Sequence, residues 1–169
     1  MSQLFTLDLP NKEIKVGLFE SLLPYYLEGM YAEEGDVAIA QMSVLIRQGD
    51  MDGALRLLQE FLGTVPYCNN TNYEGHYQQV LFIIFTLLTH FVVDVEVHTP
   101  NGRVDVVMET EDTLYLIELK LNKSAQAAMQ QINLKQYDQC FARCGKPIVK
   151  VGVNFDAKKG NIEDWTIEP

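Results

Sequence analysis

Three side chains between positions 103 and 120 are of types and spacing that can do chemistry: Asp105, Glu118 and Lys120. The segment reads Arg-Val-Asp-Val-Val-Met-Glu-Thr-Glu-Asp-Thr-Leu-Tyr-Leu-Ile-Glu-Leu-Lys. It predicts two antiparallel strands around a tight turn at Glu111-Asp112. Side chains alternate faces along a strand, so Glu118 and Lys120 share one. With that turn, paired positions sum to 223, which sets Asp105 opposite Glu118. Like charges directly opposite one another destabilise a sheet. Two carboxylates so placed on apolar strands call for a cation between them. Magnesium suits such a site, since it takes oxygen ligands and is commonly held by one or two carboxylates plus substrate phosphate; manganese is the alternative ion. In the same register Arg103 falls opposite Lys120. The four charges could therefore neutralise one another as Asp105–Arg103 and Glu118–Lys120 pairs, with no metal at all.

These residues are similar to the signature of the PD-(D/E)XK nuclease superfamily, an acid on one strand followed by Glu-x-Lys on the next. Here the residues are Asp105 and Glu118-Leu119-Lys120. One subgroup is resembled in particular, the nuclease-like domain at the C-terminus of bacterial proteins that begin with an AAA-ATPase-like domain. Pro66-Tyr67, Glu74-Gly75-His76-Tyr77, Gly102-Arg103-Val104-Asp105, Gly152-Val153-Asn154-Phe155 and Asn161-Ile162-Glu163-Asp164-Trp165 carry that likeness. The residue before Asp105 is Val104 instead of the signature proline. The resemblance implies a restriction-endonuclease-like α+β sandwich with a core ordered α-β-β-β-α-β. It implies Asp105 and Glu118 as metal ligands, with the Leu119 carbonyl adding an oxygen and Glu74 holding a second ion. Lys120 would orient or deprotonate the attacking water or steady the phosphate. Gln131 would position water or a phosphate oxygen, and Tyr137 would do the same or simply pack. Glu74 at a helix start is also favourable through the helix dipole alone.

The elements that must position these groups follow from periodicity and breakers. Residues 1–10 read as a tether and 11–65 as a helical lead-in packed on the core. Asn11 can cap a helix to about Leu27, interrupted at Pro24. A second helix spans 34–48 and is closed by Gly49. A third starts at Asp50 with Leu55, Leu58 and Leu62 on one side. The nuclease-like core occupies 66–169. It begins with a polar loop at 66–73 and a largely apolar helix from Asn72 to about His90. Strands are predicted at 92–99, 103–110 and 114–121, the first two joined by the turn Pro100-Asn101-Gly102. A helix capped by Ser124 is predicted to run to Cys144, followed by a strand at 148–155 and a short edge strand at 164–167.

Hydrophobic residues make up 47% of the 169 positions and charged residues 21%, as in an ordinary globular protein. The apolar run 80–88 is too short to span a bilayer, so no membrane is expected. No signal peptide is apparent, and three cysteines, an odd number, point to a reducing cytoplasm. The three histidines show no zinc spacing, and no glycine-rich phosphate loop supplies an ATP site.

Net charge is −10, unusual for a protein that holds phosphates. Residues 1–73 contribute 4 basic and 10 acidic groups, and residues 74–169 contribute 9 and 13. Lys120, Lys123, Lys135, Arg143 and Lys146 are candidates for a local basic strip. The expected function is a divalent-metal-dependent nuclease acting on DNA or RNA, gripping nucleic acid weakly or with the help of a partner such as an ATPase-like domain. The alternative is a non-catalytic nucleic-acid- or protein-binding module on the same fold.

Overall fold

The computed structural model describes residues 32–64 and 92–169, together with Gly17 and Ser21, both helical. The expected tether, the remainder of the first helix, the loop at 66–73, the helix at 72–90 and Glu74 lie outside the described residues. Within them, two helices precede a five-stranded sheet. Helix α1 is Ala32–Arg47 and α2 is Met51–Thr64. The strands are β1 (Val92–Thr99), β2 (Gly102–Glu109), β3 (Leu114–Leu121), β4 (Ile148–Asp156) and β5 (Asn161–Glu168). Between β3 and β4 run α3 (Ala125–Lys135), α4 (Tyr137–Phe141) and a 3-10 turn at Ala142–Cys144.

The sheet order is β1-β2-β3-β4-β5. Strands β1, β2 and β3 form an antiparallel meander, β4 is parallel to β3 through the helical crossover, and β5 returns antiparallel. The turn at Glu111-Asp112 lies where the spacing predicts it, closed by a bond from Thr110 N to Thr113 O of 2.9 Å. Val106 pairs with Ile117 and Glu109 with Leu114, so the 223 register holds. Strand β5 is longer than expected, eight residues against four, because Lys150 through Asp156 all find partners along it, across a bulge between Asn154 and Phe155.

Each face of the sheet carries a core. Val106, Met108, Ile117, Leu119, Val151, Val153 and Phe155 pack against Met42, Leu55, Leu58 and Phe61 of α1 and α2. Leu114 and Leu116 on the other face pack with Met129, Ile132 and Tyr137 of α3 and α4. Helix α3 sits against β4 at Gly152, where an added Cβ would meet Ala125 O at 2.5 Å and Met129 N at 2.9 Å. Helix α2 is tied to β5 by paired amide bonds: Gln59 Nε2 donates to Ile162 O at 2.8 Å and Asn161 Nδ2 to Gln59 O at 3.0 Å. Trp165 Nε1 donates to Asp52 Oδ1 at 2.8 Å, and the Arg56 guanidinium lies 5.9 Å from the Trp165 ring.

The predicted helix to Cys144 is broken at Gln136, which is left-handed (φ 51°) and caps α3 by donating to Asn133 O and Ile132 O. Chain direction changes there, and Tyr137 enters the second core with 1% of its surface exposed.

Candidate active site

The site is a fork where β2 parts from β3. The ladder between them begins at Val106–Ile117 and does not continue to Asp105–Glu118. On the other side of β2, the β1 pairing runs through Val95–Val106 and Val97–Val104 but skips Glu96–Asp105. Glu96 is left-handed, with φ 52°, an uncommon conformation for a side-chain-bearing residue. The strands turn over at this point. Val93 and Val95 join the first core and Val97 the second; Val106 and Met108 join the first core and Val104 the second. The tip of the β1–β2 hairpin, beyond Glu96 and Asp105, thus diverges from β3 and folds towards α4. Tyr137 Oη holds it there, donating to Arg103 O at 2.8 Å. Gly102 makes room, since a Cβ at that position would come within 2.9 Å of Tyr137 Oη.

Opening the fork strips β3 of a ladder partner, and Asp105 fills the gap: the Leu119 N–H donates to Asp105 Oδ2 at 2.9 Å. Glu118, on the α3 face, is 1% exposed, and its Oε1 accepts from Lys120 Nζ at 2.9 Å. Its other oxygen, Oε2, is buried with no hydrogen-bond partner. Burial first, and then the neighbouring Asp105 charge, push the Glu118 carboxyl up to about 7 against the opposing hydrogen bond from Lys120. A buried carboxylate oxygen without a donor is costly. Two carboxylates side by side, one with a bare oxygen, suit a hard divalent cation.

Asp105, Glu118 and Lys120 are brought together, with the Leu119 backbone between them. The Leu119 side chain lies in the opposite core. Gln131 is half-buried on α3, and its side chain makes no hydrogen bond to a described residue. Tyr137 touches the hairpin backbone at Arg103, a bracing contact beside the fork. Arg103 does not pair with Asp105; its ion pair is with Glu96 at 3.1 Å. The expected basic strip is divided. Lys146 bonds Thr110 O and Glu109 at the far end of β3, about 20 Å from Lys120 at the usual strand rise. Lys135 lies beside Asn101 of the hairpin, whose side chain donates to its carbonyl.

Sequence reasoning passed over Asn154, which is 1% exposed and pairs in register with Lys120. Its Oδ1 accepts from Lys123 N at 2.9 Å and its Nδ2 donates to Glu163 Oε2 at 3.0 Å. It pins the loop that follows the site. An amide inside the apolar strand 148–156 was the available signal. The same loop is held by Asn122, left-handed at φ 54°, whose N–H donates to Phe155 O and whose Oδ1 accepts from Ala157 N. Ser124 then caps α3, accepting from Ala127 N at 3.1 Å, while Asp164 accepts from Ala125 N at 3.1 Å.

A cavity of about 450 Å³ opens between the α1–α2 turn and the β2–β3 turn, lined by Arg47, Glu111 and Asp112 among others. It lies at the opposite end of the sheet from the fork. No helix among the described residues is long and apolar enough to cross a membrane.

Residues 72–165 match a family model described as the PD-(D/E)XK nuclease superfamily. The chain is also 31% identical over 173 residues to an uncharacterized protein encoded in the vnfD 5′ region of Azotobacter chroococcum mcd 1. That match covers 97% of this chain and 33% of the relative, so the chain spans about a third of the relative's length. No solved structure matches the chain.

Proposed function

Since the chain belongs to the PD-(D/E)XK nuclease superfamily, whose nucleases typically use divalent metals, we propose that it is a magnesium- or manganese-dependent nuclease hydrolysing phosphodiester bonds of DNA or RNA. The observation that carries this reading is the bare, buried Glu118 Oε2 beside the Asp105 carboxylate at the fork. Asp105 and Glu118 would hold the ion, with the Leu119 carbonyl and Glu74 as further oxygen donors. When bound, the ion neutralises the charge that builds on the phosphate and makes water a competent nucleophile near neutral pH.

The protein's own residues supply the rest. Lys120 is held by Glu118 at 2.9 Å and is 12% exposed, so its ammonium is aimed at the site and partly shielded from water. With Glu118 committed as a ligand, the Lys120 ammonium would orient the attacking water and contact a non-bridging phosphate oxygen. Asp105 has a second duty: by accepting from Leu119 N it sets the width of the fork. Asn154 fixes the β3–α3 loop and with it the direction in which Lys120 leaves the strand. Gln131, half-buried on α3, would contact water or phosphate once substrate fills the site.

The length of the Azotobacter relative supports a second element of the proposal, that the chain acts within a longer protein. An ATPase-like domain there would present the substrate and supply grip that an acidic chain lacks.

The test is cleavage of labelled single-stranded DNA, duplex DNA and RNA with magnesium or manganese. Asp105→Ala, Glu118→Gln and Lys120→Ala should each abolish cutting while the fold is retained. Cutting that continues unchanged in all three variants would remove the fork from the chemistry.

A further inference from the structure

The loop that follows β3 and the β4–β5 turn bonded to it each carry a lysine with no ion pair among the described residues. Eleven of the Lys and Arg residues are described, and six of them form ion pairs: Arg56, Arg103, Lys120, Lys146, Lys150 and Lys159. Among the remainder, Lys123 and Lys158 stand next to the site. Lys123 follows β3 three residues after Lys120, and its backbone N–H is held by Asn154, the register partner of Lys120. Lys158 is in the β4–β5 turn, which meets the same loop through the bond from Ala157 N to Asn122 Oδ1 at 2.9 Å. Both lysines are exposed, and neither has an ion pair among the described residues.

The acids nearby are engaged. Asp156 accepts from Lys158 N at 2.8 Å and from Lys159 N at 3.2 Å, and its Oδ2 pairs with Lys159 Nζ at 3.4 Å. Glu163 accepts from Asn154 and lies 3.9 Å from Lys159. Asp164 caps α3 at Ala125. Lys123 and Lys158 are thus two cations, with no ion pair among the described residues, on adjoining, hydrogen-bonded loops at the end of the sheet to which β3 carries Lys120.

We propose that Lys123 and Lys158 form a two-point clamp for the phosphodiester backbone of nucleic acid, holding phosphates that flank the one at the fork. This rests on reading the fork as a nuclease centre. The clamp replaces the strip through Lys135 and Lys146, which the fold splits apart. Each lysine that neutralises a phosphate releases condensed counterions, so it leaves a mark on the salt dependence of binding.

Fluorescence anisotropy with labelled duplex DNA, single-stranded DNA and RNA of one sequence, in EDTA so that nothing is cut, reads the clamp directly. For the substrate bound most tightly, Lys123→Ala with Lys158→Ala should lower the slope of log affinity against log salt by about 1.8 on a duplex, or about 1.4 on a single strand. The control pair Lys135→Ala with Lys146→Ala should leave that slope as in wild type. An unchanged slope in the clamp pair, an equal fall in the control pair, or no binding by wild type at low salt would each overturn the proposal. The nuclease reading fails separately, by Asp105→Ala cutting as well as wild type.

Discussion

Replacing Glu118 by glutamine should make the metal-free protein more stable at pH 8 and erase a pH dependence that wild type shows. In the folded chain the carboxyl is raised from 4.5 to about 7, first by burial and then by Asp105. A difference of that size corresponds to roughly 3 kcal/mol, at 1.36 kcal/mol for each pKa unit. The sign follows from proton linkage. Between the unfolded and folded values the native state binds the proton more tightly, so stability rises as pH falls. The stabilising proton is fully in place below about 4.5 and is lost as pH rises through about 7. Urea denaturation in EDTA from pH 8 to pH 5 should therefore show wild type gaining up to about 3 kcal/mol, while Glu118→Gln, neutral throughout, stays flat relative to it. At pH 5 the two proteins should nearly coincide. Magnesium should close most of the gap at pH 8, adding about 2.7 kcal/mol to wild type at a hundred times its Kd and little to the glutamine variant. Parallel pH profiles for the two proteins in EDTA would refute the reasoning, because they would mean that burial and Asp105 do not outweigh the Lys120 ammonium at the Glu118 carboxyl.

Other perturbations separate charge from scaffold. Asp105→Asn keeps an acceptor for Leu119 N but removes the repulsion, so the metal-free protein should gain stability at pH 8 and lose its magnesium-induced rise in Tm; thermal melts with and without metal decide. Tyr137→Phe deletes the bond to Arg103 O and should cost about 1 kcal/mol in urea titrations while leaving kcat within a few-fold, since the hydroxyl braces the hairpin. Gly152→Ala drives a methyl into Ala125 O and Met129 N, backbone atoms that cannot swing aside. It should cost about 1–3 kcal/mol and lower cleavage in the refolded protein as well, because Gly152 is the register partner of Glu118.

Much of the site was legible because its cause is local. The 223 register needs only a two-residue turn and alternation, and both are visible between Thr110 and Thr113. The bounds of β1 and β3, the Ser124 cap and the start of α2 follow from β-branched runs, turn residues and apolar spacing in the same way. The fork was not legible. Its signal is a glutamate at φ 52°, and no glycine or asparagine stands at position 96 to announce it. The register argument set Asp105 opposite Glu118 as though the ladder continued. The chain instead breaks the ladder there and brings the carboxylate in from the side, onto Leu119 N. The break at Gln136 was hidden for a similar reason, since glutamine is an ordinary helix former and tertiary packing of Tyr137 dictates the left-handed cap. Asn154 was passed over because its partners, Lys123 and Glu163, are 31 and 9 residues away.

The reciprocal clasp in which the Gln59 side chain donates to Ile162 O and the Asn161 side chain to Gln59 O bears on how the molecule should be trimmed. A fragment limited to the nuclease-like core, residues 66–169, would forfeit α2, baring the apolar side of five strands and leaving β5 as a naked border. Such a border invites neighbouring chains to add on as extra strands. Cutting before residue 66 should consequently yield aggregates in place of a smaller nuclease, and the shortest well-behaved piece should begin upstream of α1.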